Sequence, residues 1–111
     1  MLYGYYEQTG APFRGNARRQ LTEFLDRMNL SYDEGIEFTV AIRDSSDRIA
    51  ACASLQGNVI KCVAVDPSLQ GEGVTATLMT ALKREALERG HRHLFLYTKP
   101  ENFLQFSSLG F

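Results

Sequence analysis

Two glycines one residue apart, Gly71 and Gly73, lie in the run IKCVAVDPSLQGEGVTA at residues 60–76. An apolar stretch comes before them and a helical pattern begins after them. Strand, glycine-rich turn and helix start in that order make a device for holding an anion. Glycine lets the main chain turn so that successive N–H groups converge, and the dipole of the following helix adds partial positive charge there. The chemistry to expect is binding of a phosphate or pyrophosphate. Other reactive residue types are more scattered. Cys52 and Cys62 flank Gly57 symmetrically, so a hairpin turning at Gly57 would set them opposite each other. In a reducing compartment two small buried thiols are expected there rather than a disulfide. Apolar neighbours raise a thiol's pKa, so Cys62 is read as a core residue and not as a nucleophile. His91 and His93 find no third or fourth ligand at suitable spacing, and catalytic zinc needs three, so no metal site is expected.

These residues need elements to place them. With 111 residues the chain is read as one domain, and 44% hydrophobic with 23% charged residues is a globular composition. A net charge of −1 gives no bulk electrostatic case for nucleic acid or an anionic membrane. No apolar run approaches the roughly 20 residues of a membrane span. The start, MLYGYYEQTG, lacks the basic and apolar regions of a signal peptide, so a soluble cytoplasmic protein is expected.

Residues 1–16 are read as a short strand and a loop. From 17 to 28, Leu21, Phe24, Leu25 and Met28 recur at i, i+3, i+4 and i+7, one face of an amphipathic helix. Residues 36–43 alternate, with Ile36, Phe38, Val40 and Ile42 on one side and Glu37, Thr39 and Arg43 on the other, which predicts a half-buried strand. Residues 44–47 supply a turn. A strand over 49–56 follows, rich in small residues that let a helix or a ligand approach closely. Residues 59–65 are apolar on both faces, as for a central strand covered on both sides. Three consecutive antiparallel strands result. A helix over 74–89 should bury Val74, Leu78, Met79, Leu82 and Ala86, with Gly90 just past its end. Its crossover makes strand 93–98 parallel to strand 60–65. A last helix is expected over 100–109.

Three phosphate-binding loops can be compared with residues 70–75. The mononucleotide run G-x-x-x-x-G-K-[ST] is absent. The dinucleotide fingerprint is matched formally by Gly71, Gly73 and Ala76. However, residues 66–70 intervene after the strand, and the next strand carries no acidic residue for a ribose. The third is the closest. Gln70-Gly71-Glu72-Gly73-Val74-Thr75 resembles the acyl-CoA motif of the GNAT acetyltransferase superfamily, Q/R-x-x-G-x-G/A. Gln70 and Gly73 match its first two fixed positions, and Thr75 stands where the family prefers Gly or Ala. The order of elements and the ending Asn102…Leu109-Gly110-Phe111 are similar to the family's as well.

The resemblance implies an α/β fold of the GNAT type. Its mixed sheet has antiparallel N-terminal strands, a parallel pair splayed at the acyl-CoA site and flanking helices, with the C-terminal strands absent. It implies that main-chain amides of Gln70, Gly71, Glu72, Gly73, Val74 and Thr75 cradle the pyrophosphate of acetyl-CoA or a CoA-like thiol. The pantetheine arm would pair with Val63 and Val65. The thioester carbonyl would lie near Val63 and Ala64, where an N–H would polarise it. Asn102 is carried over as a further cofactor-binding residue. Direct transfer needs a base, and an acid for the departing thiolate. The family's acid is a tyrosine near the closing Gly-Phe, and Phe106 stands there in this chain. Tyr97 is then the candidate catalytic acid, with strand packing as its alternative role. Strand 58–65 has no carboxylate to serve as base; Glu37 and Glu72 remain, and Glu72 is read as structural or solvent-facing.

The wording IKCVAVDPSLQGEG…LFLYTKPENFLQFSSLGF is similar, more particularly, to the N-terminal domain of the citrate lyase ligase family. That resemblance implies a cytoplasmic enzyme that uses ATP and acetate. It acetylates the thiol of the dephospho-CoA-derived prosthetic group on the citrate lyase acyl carrier protein. The family's H-x-G-H type nucleotide motif does not occur in these residues, so ATP is expected to bind elsewhere in a longer parent chain. This single domain over 1–111 is then expected to be a fragment that binds a CoA-type ligand. The exposed edge of strand 93–98 would be covered by a second copy. A stand-alone acetyl-CoA-dependent N-acetyltransferase is the competing expectation.

Overall fold

A computed structural model describes residues 4–96 of the chain. Tyr97, Asn102, Phe106, the helix expected over 100–109 and the closing Leu-Gly-Phe lie outside the described residues. The elements run β1 (Tyr6–Gly10), α1 (Gly15–Arg27), β2 (Phe38–Arg43), β3 (Ile49–Gln56), β4 (Val59–Val65), a 3-10 turn (Pro67–Leu69), α2 (Val74–Glu88) and β5 (Phe95–Leu96). They build a mixed sheet in the order β1-β2-β3-β4-β5. Neighbours are antiparallel from β1 to β4, and β4 pairs in parallel with β5, as the crossover through α2 requires.

The helices lie on opposite faces of this sheet. Val74, Leu78, Met79, Leu82 and Ala86 of α2 pack in one cluster with Phe38, Val40, Ile42, Ala51, Ala53, Leu55 and Ile60. Leu21, Phe24 and Leu25 of α1 pack in the other with Ala41, Cys52 and Ala64. The small residues of β3 serve this two-sided packing. Ala51 and Ala53 receive α2, and Cys52 between them receives α1. After Glu88, α2 ends as the sequence predicts. Gly90 takes φ +86, its N–H donates to Leu87 O, and the N–H of His91 donates to Ala86 O at 2.9 Å.

Two expectations change. Strand β2 is not half-buried, because every one of its residues is buried. Its alternation marks two kinds of packing rather than core and solvent. The polar side lies under α1, where Thr39 Oγ1 and Ser54 Oγ share a hydrogen bond at 2.8 Å. Arg43 on the same side is 5% exposed. Its guanidinium donates to Gln8 Oε1, to the Asp47 carbonyl at 2.6 Å and to Gln20 Oε1 at 2.9 Å. Those oxygens stand in for water around a buried charge. Strand β4, in turn, is not the doubly covered centre. That place is held by β3, and five of the seven β4 residues are only half-buried.

Candidate functional site

The site is built at the C-terminal end of β4 and the N-terminus of α2. From the hairpin at Gly57 the β3–β4 ladder is regular through Gln56↔Val59, Leu55↔Ile60 and Ser54↔Lys61. It then slips by one residue, so that Cys52 faces Ala64. The extra residue is accommodated at Cys62, which takes φ +56. That left-handed conformation disfavours a non-glycine residue and is the local kink of a β-bulge. The bulge decides which side chains face which way. Val63 and Val65 join the α2-side cluster, whereas Cys62 and Ala64 join the α1 side.

The hairpin turns between Gly57 and Asn58 rather than on Gly57, which already takes Cys62 out of register with Cys52, and the bulge shifts the pairing further. Cys52 and Cys62 are not cross-strand partners, and both are free thiols. The Cys52 thiol donates to the Cys62 carbonyl at 3.2 Å. Burial pushes both thiols above their ordinary value, Cys52 far more than Cys62, which is only partly covered. Native protein treated with iodoacetamide at pH 8 is therefore expected to leave Cys52 unmodified and to label Cys62 slowly, with both labelled in denaturant. Peptide mass mapping reads the outcome.

Beyond Val65 the chain is fastened before it turns. The N–H of Asp66 donates to Ala50 O at 2.8 Å. The Asp66 carboxylate accepts from the N–H of Ser68 at 2.9 Å and from its hydroxyl at 2.8 Å, with Pro67 at the first position of the 3-10 turn. These bonds hold the Asp66 carboxyl below its ordinary value of 3.8. A depressed pKa contributes stability above the unfolded value that is lost as pH falls through the folded one. Urea midpoints of the Asp66→Asn variant should thus lie below wild type at pH 6, and the gap should close as the pH falls below 3.8.

Gly71 and Gly73 take φ +86 and +75, and Gly73 is the N-cap of α2. Both glycines open onto free space, since a Cβ at either would meet nothing within 4 Å. Gln70, Gly71, Glu72 and Gly73 are exposed, whereas the Val74 side chain is 3% exposed and Thr75 half-buried. The N–H groups of Gln70 and Glu72 are used inside the turn, donating to Pro67 O and Leu69 O, both at 3.3 Å. Among the described residues no carbonyl takes the N–H groups of Gly71, Gly73 or Val74. The turn therefore offers open donors at the positive end of a 15-residue helix. No basic residue lies between positions 62 and 82, so within this segment the attraction for an anion comes from the main chain. Glu72 is exposed as expected.

Of the predicted site residues, the described ones converge on this one end of β4 and α2. A separate shallow groove of about 260 Å³ between β1 and α2, lined by Glu7, Ala76, Thr77, Thr80, Ala81 and Arg84, contains none of them. Among the described residues no helix is long and apolar enough to cross a membrane.

The profile of the Acetyltransferase (GNAT) family matches residues 4–106, from before β1 to beyond β5. This chain belongs to the GNAT acetyltransferase family. Solved structures agree with its fold. An acetyltransferase of Trypanosoma brucei superposes with a TM-score of 0.76 at 19% identity, over 96% of this GNAT chain and 92% of that one. Glucosamine-6-phosphate N-acetyltransferase of Arabidopsis thaliana gives 0.71 at 14%, over 96% and 91%. At such identities the likeness concerns fold alone.

Sequence relatives are more specific. The GNAT domain is 43% identical over 94 residues to a citrate (pro-3S)-lyase ligase of Klebsiella pneumoniae, covering 85% of this chain and 27% of the relative. With the enzyme of that name from Haemophilus influenzae it shares 46% over 88 residues, covering 79% and 26%. The chain thus spans about a quarter of the length of these relatives.

Two features escaped the sequence. The bulge at Cys62 falls in an uninterrupted apolar run, and nothing in residue type marks a positive φ there. The path of residues 29–37 over β4, where Asp33 meets Lys61 at 3.2 Å, was also illegible, because it depends on contacts between residues distant in sequence.

Proposed function

We propose that this GNAT domain binds a coenzyme A-type ligand and serves within a citrate lyase ligase. The parent enzyme would use ATP and acetate to acetylate the thiol of the dephospho-CoA-derived group on the citrate lyase acyl carrier protein, in the cytoplasm. The observation that carries the reading is the set of open N–H donors of Gly71, Gly73 and Val74 ahead of α2. A pyrophosphate diester fits it, since main-chain donors and a helix dipole suit a group with two negative charges. Residues 70–75 hold the phosphates in this reading. Val63 and Val65 line the path of the arm, and the main chain at Val63 and Ala64 orients its sulfur end. The bound ligand supplies the thiol or thioester that reacts. Phe106 has no proton to give a departing thiolate, which favours a domain that binds over one that completes the transfer.

One observation favours a second reading. The profile that matches residues 4–106 is that of an acetyltransferase family. A stand-alone N-acetyltransferase with Tyr97 as acid would fit that match. Calorimetry with coenzyme A and with dephospho-CoA is the first test, and a folded sample that binds neither would sink both readings. Turnover of acetyl-CoA with a panel of amines then separates them. Activity abolished by Tyr97→Phe supports the transferase, and binding without turnover supports the ligase module.

A further inference from the structure

We propose that Asp33 and Lys61 are positioning residues for the acyl end of the site, a role that rests on the CoA-type reading above. They clamp the connection between α1 and β2 onto β4 beside the bulge. Residues 29–37 run along the α1 face of β4 toward its hairpin and touch it repeatedly. The Cys62 thiol reaches the Ser31 carbonyl at 3.5 Å. The Lys61 ammonium lies 3.2 Å from the Asp33 carboxylate and donates to Gln56 Oε1 at 2.9 Å. Gly35 lies against Gln56 so closely that a Cβ there would collide with the amide. The Glu37 carboxylate accepts the Gly57 N–H, and the Glu37 N–H donates to Leu55 O at 2.8 Å.

Lys61 has a particular place in this series. It is the last residue paired in regular register before the slip, and Cys62 with φ +56 follows it directly. A left-handed non-glycine residue persists only where its surroundings over-determine it. Lys61 and Cys62 both point to the α1 side, and both are held there by this one connection. Val63 and Ala64 come next, so their orientation depends on the bulge staying closed. The Lys61 side chain is 25% exposed and that of Asp33 46%, so the pair is partly covered on the lysine side.

The experiment uses the ligand-free chain and amide hydrogen exchange by NMR. Lys61→Met and Asp33→Asn should each speed exchange at Val63 and Ala64 by about fivefold, the loosening that loss of one partly covered ion pair produces. Exchange in α2 at Leu78 and Leu82 should stay as in wild type. Lys61→Arg, which keeps the pair, should restore the wild-type rates. Glu85→Gln, which breaks the separate pair with Arg89 at 2.7 Å, should leave Val63 and Ala64 unchanged. The Kd for coenzyme A should rise about fivefold in the first two variants and recover in Lys61→Arg. Exchange unchanged at Val63 and Ala64, or faster throughout the domain alike, overturns the clamp. A wild-type chain that binds no coenzyme A overturns the CoA-type reading instead, and the exchange rates still judge the clamp.

Discussion

Replacing Gly73 by valine is expected to abolish most binding of a CoA-type ligand while leaving the domain folded. The cost is not a clash, because a Cβ at Gly73 points into open space. It lies in the main chain, which holds φ +75 at this residue. For a residue with a Cβ that conformation costs about 1–2 kcal/mol, and more for a β-branched one. A domain with roughly 5–15 kcal/mol of stability survives such a loss. The strained turn relaxes instead, and relaxation rotates the N–H groups of Gly73 and Val74 away from the cradle. Each charge-assisted bond to a phosphate contributes about 1.5–3 kcal/mol, so losing two weakens binding by about a hundredfold or more. Gly90→Val is the matched control. Gly90 also takes a positive φ, +86, and also faces free space, but it lies past the far end of α2 from the cradle. Calorimetry should show that variant binding like wild type at a similar loss of stability. Equal binding by both variants would remove the loop from the site.

The second large effect concerns the other face of the sheet. Phe24→Ala should cost about 3–5 kcal/mol, close to the whole stability of a small domain. Phe24 is 1% exposed and packs with Leu21 and Leu25 against Ala41, Cys52 and Ala64. Those three partners are small and sit on strands, so they cannot move in to fill the space left behind. Ala64 belongs to the site strand, and the variant should loosen the site as it destabilises the fold. In urea the midpoint is expected to fall by roughly 2 M. Glu23→Ala, one residue away and exposed, should stay within about 0.5 kcal/mol of wild type. A small effect at Phe24 would mean that α1 does not cover the sheet as described.

How far the sequence could be read depended on the kind of signal. The helical period at Leu21, Phe24, Leu25 and Met28, and the one from Val74 to Ala86, recorded the buried faces of α1 and α2 directly. The glycine pair was equally legible, since a positive φ at Gly71 and Gly73 is what glycine accommodates without strain. Alternation in β2 misled because it separates polar from apolar side chains, whereas burial depends on what covers each side. Thr39 and Arg43 are polar and yet buried, with Ser54, Gln8 and Gln20 as partners from β3, β1 and α1. No local pattern announces such partners. Cys62 shows the same limit, since only the register against β3 shows that one residue is in excess there.

The ligand preference follows from the same physics. The cradle combines main-chain donors with two nearby carboxylates, Asp66 and Glu72, and no cation from positions 62 to 82. Asp66 is held ionised by Ser68. Affinity for phosphates in such a turn should be modest and should depend on its geometry more than on ionic strength.

The most direct measurement is an NMR titration of the isotopically labelled domain with coenzyme A, following each main-chain amide. The account predicts saturable shifts centred on Gly71, Gly73 and Val74, continuing to Val63 and Ala64, with the groove at Thr77 and Thr80 far less affected. Saturation with no shift at Gly71 and Gly73, or shifts confined to that groove, would contradict it.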